Sequence, residues 1–332
     1  MPKITYLVMA SNSFSGGWMV DAIMATHPES RVVGMSRSPE KSDLFLPYKS
    51  RKFKNFQFYQ IDINKDEEKM YTLFDEIRPN YVINFAAQGE VGTSWKYPEQ
   101  WFETNAVGIV KLCNHLKGKD YLKRYVHIST PEVYGTCNDV KEDAPMAPST
   151  PYAASKAAGD LFVFTLVKQY GFPMVMIRST NVYGKYQQLY RIIPRTAIYL
   201  KLGKKVPLQG GGKAIKSYIH IKDVCEGILA ALRKGRDGEI YHFSPDDSIS
   251  IHDLVKKVCE SMGYDFARSV EPVGERVGQD SRYVIDSSKA RKELGWAPKI
   301  SFEEGIREVV EWVQDNYELI IKEPLDYVHI PS

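Results

Sequence analysis

Cysteine is scarce. The four residues Cys113, Cys137, Cys225 and Cys259 stand far apart, with no Cys-x-x-Cys pair and no spacing suited to a metal. That excludes a disulfide scaffold and gives no metal site to expect; it suits reduced thiols in a cytoplasmic protein. An excess of one charge is also missing, because 44 basic and 41 acidic side chains leave a net charge of +3 with no long basic run. Nucleic acid is therefore a poor expectation as a partner. No apolar run approaches the ~20 residues of a membrane span, and Ile4 to Met9 is an apolar run of strand length with no cationic leader before it. The expectation is a protein with neither signal peptide nor membrane association. Internal repeats and low-complexity tracts are absent too. What remains is a chain of 332 residues, enough for one large domain or two modest ones with ample core.

Short apolar runs alternate with helical patterns. Ile4 to Met9, Arg31 to Ser36, Phe56 to Ile61, Tyr81 to Phe85, Arg124 to Ile128 and Pro173 to Arg178 read as strands. Trp18 to Ala25, Trp101 to Leu116 and Tyr152 to Gln169 read as helices, and such alternation predicts a parallel sheet. The chain is organised around Ser129-Thr130-Pro131-Glu132-Val133-Tyr134-Gly135, which follows the fifth strand, and Tyr152-Ala153-Ala154-Ser155-Lys156 beyond a polar loop. Ser129 and Thr130 stand where a buried strand ends, which in an open parallel sheet is where ligands bind. Thr130, Pro131 and Glu132 also read as a helix start, with an N-cap, a proline at the first helical position and a carboxylate in the first turn. Tyr152 and Lys156 are four residues apart and share a helix face. An ammonium near a phenol favours the phenolate, so the pair suits proton transfer. Tyrosine and lysine meet at this spacing on many helices; the strand, turn and small residues around them set this pair apart.

The Ser-Thr-x-Glu-Val-Tyr-Gly segment and the Tyr-x-x-x-Lys pair resemble the extended short-chain dehydrogenase/reductase superfamily, and within it the NAD(P)-dependent nucleotide-sugar 4,6-dehydratases. The similarity runs from the first strand to Leu294-Gly295-Trp296-Ala297-Pro298. The resemblance implies an α/β protein: a Rossmann-like doubly wound parallel sheet over 1–178, and a smaller α/β substrate-binding domain over 179–332 from which some elements return to the first. It implies that Ala10, Asn12, Ser13, Phe14, Ser15 and Gly16 form the dinucleotide phosphate loop. Ser36 and Arg37 would face the adenosine ribose, Asp62 and Ile63 the adenine, and Phe85, Ala86, Ala87 and Gln88 the rest of the cofactor, with Tyr152 and Lys156. Gln88, Asn181, Lys216 and Arg276 would contact the nucleotide sugar. Asn105 matches a family asparagine that is more often structural than catalytic. The helical stretches near Trp101 to Leu116 and Tyr152 to Gln169 correspond to a pair that builds a homodimer in the family.

Several positions depart from the family pattern. Ala10 and Ser13 replace the first two phosphate-loop glycines, and only Gly16 matches. After the second strand stands Ser36-Arg37-Ser38 with no acid. An acid there would bind the ribose hydroxyls of NAD, whereas arginine accommodates the extra phosphate of NADP, so NADP is favoured over NAD unless Arg37 is merely a solvated loop charge. Lys216 stands where an arginine usually contacts the diphosphate, giving a point charge in place of a fork. Pro131 occupies the place of an aspartate that serves as acid in dTDP-glucose dehydratases; GDP-mannose-type enzymes also lack it.

The chemistry the resemblance implies is an internal redox cycle. Tyr152, with Lys156 and Thr130, takes the C4 hydroxyl proton of the hexose as C4 is oxidised. Glu132 removes the C5 proton and passes it to the departing C6 hydroxyl, unless it serves only as a helix-start carboxylate. Two other classes remain open: a 4-epimerase or decarboxylase on the same Tyr/Lys apparatus, and a non-catalytic nucleotide sensor. Epimerases usually lack the glutamate, and retention of Thr130, Glu132, Tyr152 and Lys156 argues against the sensor. The segment Lys185 to Lys205 is expected to help choose the base, and the final stretch Trp312 to Ser332 is apolar enough to pack against the rest of the chain.

Overall fold

The computed structural model describes residues 4–51, 53–274 and 282–332. Seven strands form the main sheet: β1 (Thr5–Met9), β2 (Arg31–Ser36), β3 (Phe56–Gln60), β4 (Tyr81–Asn84), β5 (Arg124–Ile128), β6 (Met174–Ser179) and β7 (Ile240–Phe243). Their spatial order is β7-β6-β5-β4-β1-β2-β3, and every pairing is parallel. β1 is buried along its whole length, as a strand covered on both faces must be. One apolar layer is built around Trp18, Met19, Ile23, Ile228 and Phe243, the other around Leu73, Phe74, Leu112, Tyr125 and Val163. The strand order reverses between β1 and β4, and the crevice at their carboxyl ends is where such a sheet binds its ligand.

The sequence-based strands match to within a residue at either end, while the helices differ in instructive ways. The first helix, α1, spans Phe14–Thr26 and so begins four residues before Trp18, because Ser13 caps it by accepting a hydrogen bond from Gly16 N at 3.1 Å. The stretch Trp101 to Leu116 is not one regular helix. Pro98–Phe102 runs into a π-turn, Glu103–Val107, and then into α2, Gly108–Leu116. The π-turn turns Asn105 inward, where its amide accepts from Gln88 N at 2.9 Å and donates to Gln88 O at 3.0 Å and Ser155 Oγ at 2.9 Å. That accounts for Asn105 as a structural clamp.

The second half of the chain does not stay apart. β7 returns to the edge of the main sheet, and Cys137–Val140 leaves the first half to pair with Arg282–Ile285 in a smaller four-stranded sheet. A third apolar cluster, including Tyr183, Ile193, Leu254, Val309 and Trp312, forms the core of the second lobe. The crevice lies between this lobe and the carboxyl ends of the main strands.

Candidate active site

A cleft of about 720 Å³ opens at the reversal point, lined among others by Ser13, Ser15, Thr130, Glu132, Tyr152 and Lys156. Local chemistry delivers these side chains. β5 ends at Ile128, and Thr130, extended at φ −147°, caps a single 3₁₀ turn, Pro131–Tyr134, by accepting from Glu132 N at 3.3 Å. The expected helix start is present, but it stops after one turn at Gly135. Gly135 has φ 68°, and a Cβ there would stand 2.4 Å from Ala147 O, so only glycine fits. Helix α3, Pro151–Tyr170, starts with Thr150 as N-cap, accepting from Ala153 N at 3.1 Å, and with Pro151 in its first turn. Tyr152 and Lys156 therefore occupy the first two turns, beneath the end of β5. Gly159 lets α3 pack against the π-turn, since a Cβ would meet Asn105 O at 2.3 Å.

Lys156 is buried, and its ammonium donates to Ile128 O at 2.8 Å. Burial and the nearby Arg178 guanidinium lower the pKa of that ammonium, while Asp160 raises it. One turn further along α3, Asp160 is wholly buried and accepts from Ser129 Oγ, from Arg178 Nη2 at 2.8 Å and from His127 Nε2 at 3.0 Å. Burial pushes the Asp160 carboxyl up, but the bond and charge of His127, then Arg178 and Lys156, outweigh it and hold the carboxyl at about 2. Arg178 continues the network by donating to Tyr134 Oη, which also meets His242 Nε2 at 2.8 Å. The floor of the cleft is thus a buried ionic network that ties α3, β5, β6 and the 3₁₀ turn together.

The Tyr152 phenol is pushed up from its ordinary value chiefly by burial and next by the Glu132 carboxylate; the Thr130 hydroxyl and the Arg191 guanidinium pull it down. The expectation that the Lys156 ammonium would bring the Tyr152 phenol below its ordinary value is not met, because burial outweighs the favourable charges and Lys156 donates to Ile128 O. The cation that pulls the phenol down, Arg191, was not singled out from sequence. Arg191 lies within the segment Lys185 to Lys205, part of which lines the cleft, and it pairs with Glu90 at 4.0 Å. Nothing in its sequence position marks it, since it is one arginine in a charged loop. Thr130, Glu132 and Tyr152 share one wall: a phenol, a hydroxyl and a carboxylate face the same space, with a buried ammonium behind them. Such a set can take a proton from a hydroxyl and another from carbon.

At the phosphate loop Ala10 has φ 55°, the left-handed region for which glycine is the usual choice. Gly16 is required, because a Cβ there would stand 2.1 Å from Ala10 O. Ser13 Oγ accepts from Gly16 N, which leaves its own proton for an acceptor in the cleft. Ser13, Phe14 and Ser15 line the cleft at the amino end of α1, so this cradle fits a dinucleotide pyrophosphate. Asn12 is spent on structure: its N–H meets Ser36 Oγ at 3.0 Å, its amide nitrogen meets Ser38 Oγ at 3.0 Å, and its amide oxygen accepts from Lys41 N at 2.7 Å. Asp62 accepts from Asn64 N at 2.8 Å beside the buried Ile63, both at the end of β3. Phe85 and Ala87 line the cleft, Ala86 packs on the core behind them, and the Gln88 side chain donates to Ile330 O at 2.9 Å.

On the opposite wall Asn181 accepts from Tyr283 Oη at 2.7 Å and donates to Ser217 O at 3.0 Å. Lys216 lies 5.1 Å over the Tyr283 ring, and both residues line the cleft. Arg276 falls outside the described residues. Among the described residues no cluster of histidine, cysteine, aspartate or glutamate is arranged to hold a metal, and no helix is long and apolar enough to cross a membrane.

Comparison with known proteins agrees with this geometry. A dTDP-glucose 4,6-dehydratase from Streptomyces niveus is 35% identical over 269 residues, 79% of this chain and 77% of its own length. The crystal structure of a dTDP-glucose 4,6-dehydratase from Streptomyces venezuelae with NAD and TYD bound superposes with a TM-score of 0.88 at 30% identity, covering 95% of this chain and 98% of that one. A UDP-glucose 4-epimerase from Thermotoga maritima, solved with UDP-glucose, follows at TM-score 0.85 and 28% identity over 95% of this chain and 100% of its own. The family model for GDP-mannose 4,6 dehydratase matches residues 8–309. The chain belongs to that family, within the NAD(P)-dependent short-chain dehydrogenase/reductases that epimerise or dehydrate nucleotide sugars.

Proposed function

We propose that this protein is an NAD(P)-dependent nucleotide-sugar 4,6-dehydratase, a hydro-lyase that converts an NDP-hexose to an NDP-4-keto-6-deoxyhexose. The observation that carries the reading is Glu132, set in the cleft close enough to Tyr152 to raise its phenol. Epimerisation at C4 requires no base at C5, whereas dehydration does. Ser13, Ser15 and the first turn of α1 would hold the pyrophosphate of the dinucleotide, and Lys156, on the floor of the same cleft, would hold a further part of it. Bound NAD(P) supplies the hydride acceptor at sugar C4 and the hydride donor at C6. Tyr152 Oη, as the phenolate that the Thr130 hydroxyl and the Arg191 charge favour against burial, accepts the C4 hydroxyl proton as that carbon becomes a ketone. The ketone acidifies the C5 hydrogen. Glu132 takes that proton, the C5–H electron pair becomes the second bond of a C5=C6 double bond, and the C6–O bond breaks. Glu132 then returns the proton to the departing hydroxyl, so water leaves and Pro131 has no proton to supply; as C6 is reduced, C5 regains a proton that balances the one Tyr152 took from the C4 hydroxyl.

Asn181 and Lys216, on the wall facing these groups, bind the diphosphate, with Arg276 as a further cation from sequence. The segment Lys185 to Lys205, of which Gln187, Gln188, Tyr190 to Ile193 and Arg195 line the cleft, helps choose the base. For the dinucleotide, Arg37 and the missing acid after β2 support NADP. A homodimer is supported by the apolar side chains left exposed on Pro98–Phe102, the π-turn, α2 and α3: Phe102, Val107, Val110, Leu161 and Tyr170. The test is mass spectrometry of a panel of NDP-hexoses and one NDP-hexuronic acid after incubation with either cofactor. Loss of one water from a single member supports dehydration and names the substrate. Unchanged mass with altered stereochemistry makes the protein an epimerase, loss of carbon dioxide makes it a decarboxylase, and silence across the panel points to the sensor.

A further inference from the structure

Beyond the short helix Tyr317–Ile320, residues 321–332 leave the second lobe and run back over the first. From Glu323 to His329 the odd-numbered residues are partly covered and the even-numbered ones exposed, the period of an extended segment with one face on the protein. Leu325 packs on the core of the second lobe, and Asp326 and Tyr327 form part of the cleft wall, where the Tyr327 ring meets Tyr190 edge-on at 5.3 Å. His329 is the anchor. Its ring lies parallel to Tyr97 and Trp101, with centroids 5.4 Å from each, and its Nε2 meets Gln100 Oε1 at 2.8 Å. The last two contacts fall on residues that follow β4 and β2: Ile330 O accepts from Gln88 Nε2 at 2.9 Å, and Pro331 O accepts from Arg37 Nη1 at 3.4 Å. β1 lies between β2 and β4, so these contacts straddle the crevice at the strand-order reversal.

We propose that residues 325–331 are a strap forming the outer wall of the dinucleotide site, closing over bound NAD(P) and retaining it from one turnover to the next. This rests on the reading of the cleft as an NAD(P) site. The chemistry gives such a wall a purpose, because an internal redox cycle returns the cofactor to its starting state and needs no exchange. A strap that slows departure therefore does not slow turnover. Arg37 keeps donors for a ribose or its phosphate while it holds the Pro331 carbonyl, since a guanidinium has five N–H groups. Release of the dinucleotide requires peeling the His329 ring from two aromatic faces and breaking its bond to Gln100, losses that act on the off-rate.

The experiment measures exchange of bound dinucleotide against labelled NAD⁺ or NADP⁺ in the full-length protein and its His329→Ala variant, alongside a chain ending at Pro324. Exchange should quicken about tenfold or more in both altered proteins. In the unaltered protein, adding dinucleotide should slow amide hydrogen exchange at 325–331. Equal exchange rates, or faster amide exchange at 325–331 on binding, would overturn the strap while leaving the cleft as the cofactor site. A full-length protein that binds no dinucleotide would overturn both.

Discussion

Replacing Asp160 with asparagine isolates charge from shape. The carboxylate is wholly buried and is the acceptor for Ser129, His127 and Arg178. Asparagine keeps one acceptor oxygen, which can stay with Ser129 and Arg178. Its amide can donate to His127 Nε2 if the imidazole changes tautomer. What is lost is the negative charge between two buried cations, for Arg178 is 1% exposed and Lys156 is 3% exposed. Removing one partner from a buried ionic group costs about 3–5 kcal/mol, a large part of the ~5–15 kcal/mol that stabilises a typical domain. The urea midpoint at neutral pH should fall accordingly. The pH dependence has a definite sign. The Asp160 carboxyl is held at about 2 against an ordinary 3.8, so its stabilisation is fully present above 3.8 and fades as pH falls toward 2. The asparagine variant should therefore differ most from the parent at neutral pH and converge with it at strongly acid pH. Asp160 also raises the Lys156 ammonium, so its loss should move the alkaline limb of activity to lower pH. An unfolding free energy within ~1 kcal/mol of the parent, together with an unmoved alkaline limb, would refute the account of this network.

Glu132→Gln should abolish loss of water while substrate still reduces the bound cofactor, read as absorbance of the reduced nicotinamide without a dehydrated product; normal dehydration would remove Glu132 from the mechanism. Arg37→Asp should weaken NADP more than NAD in paired titrations, and equal weakening would make Arg37 a surface charge. Ala10→Gly should raise stability by about 0.5–1 kcal/mol, because the left-handed φ of 55° costs alanine more than glycine loses in chain entropy. A lowered unfolding midpoint would contradict that comparison.

The sequence by itself determined what rests on neighbours along the chain. The strands β1 to β6 declare themselves as short runs rich in β-branched, aromatic and other apolar residues; β1 is buried along its whole length, whereas the edge strand β3, Phe-Gln-Phe-Tyr-Gln, is only partly covered. Thr130 with Pro131 and Thr150 with Pro151 start their turns through contacts no more than three residues away. Tyr152 and Lys156 share a face because the helix repeat brings residues four apart together. Tertiary structure alone decided the rest. That Asp160 meets Arg178, His127 and Ser129 depends on α3 packing beneath the ends of β5 and β6, contacts made across 18 to 33 residues of sequence. The π-turn exists because Asn105 reaches Gln88 and Ser155, which no local propensity encodes. Arg191 acquires meaning only once its loop faces Tyr152, and the apolar, otherwise unremarkable stretch after Ile320 becomes a wall of the cleft only because Gln88 and Arg37, 242 and 294 residues away, wait at the ends of two strands. Side-chain pairing at that separation is set by which surfaces meet when the lobes pack, and the order of residues along the chain carries no periodic trace of it.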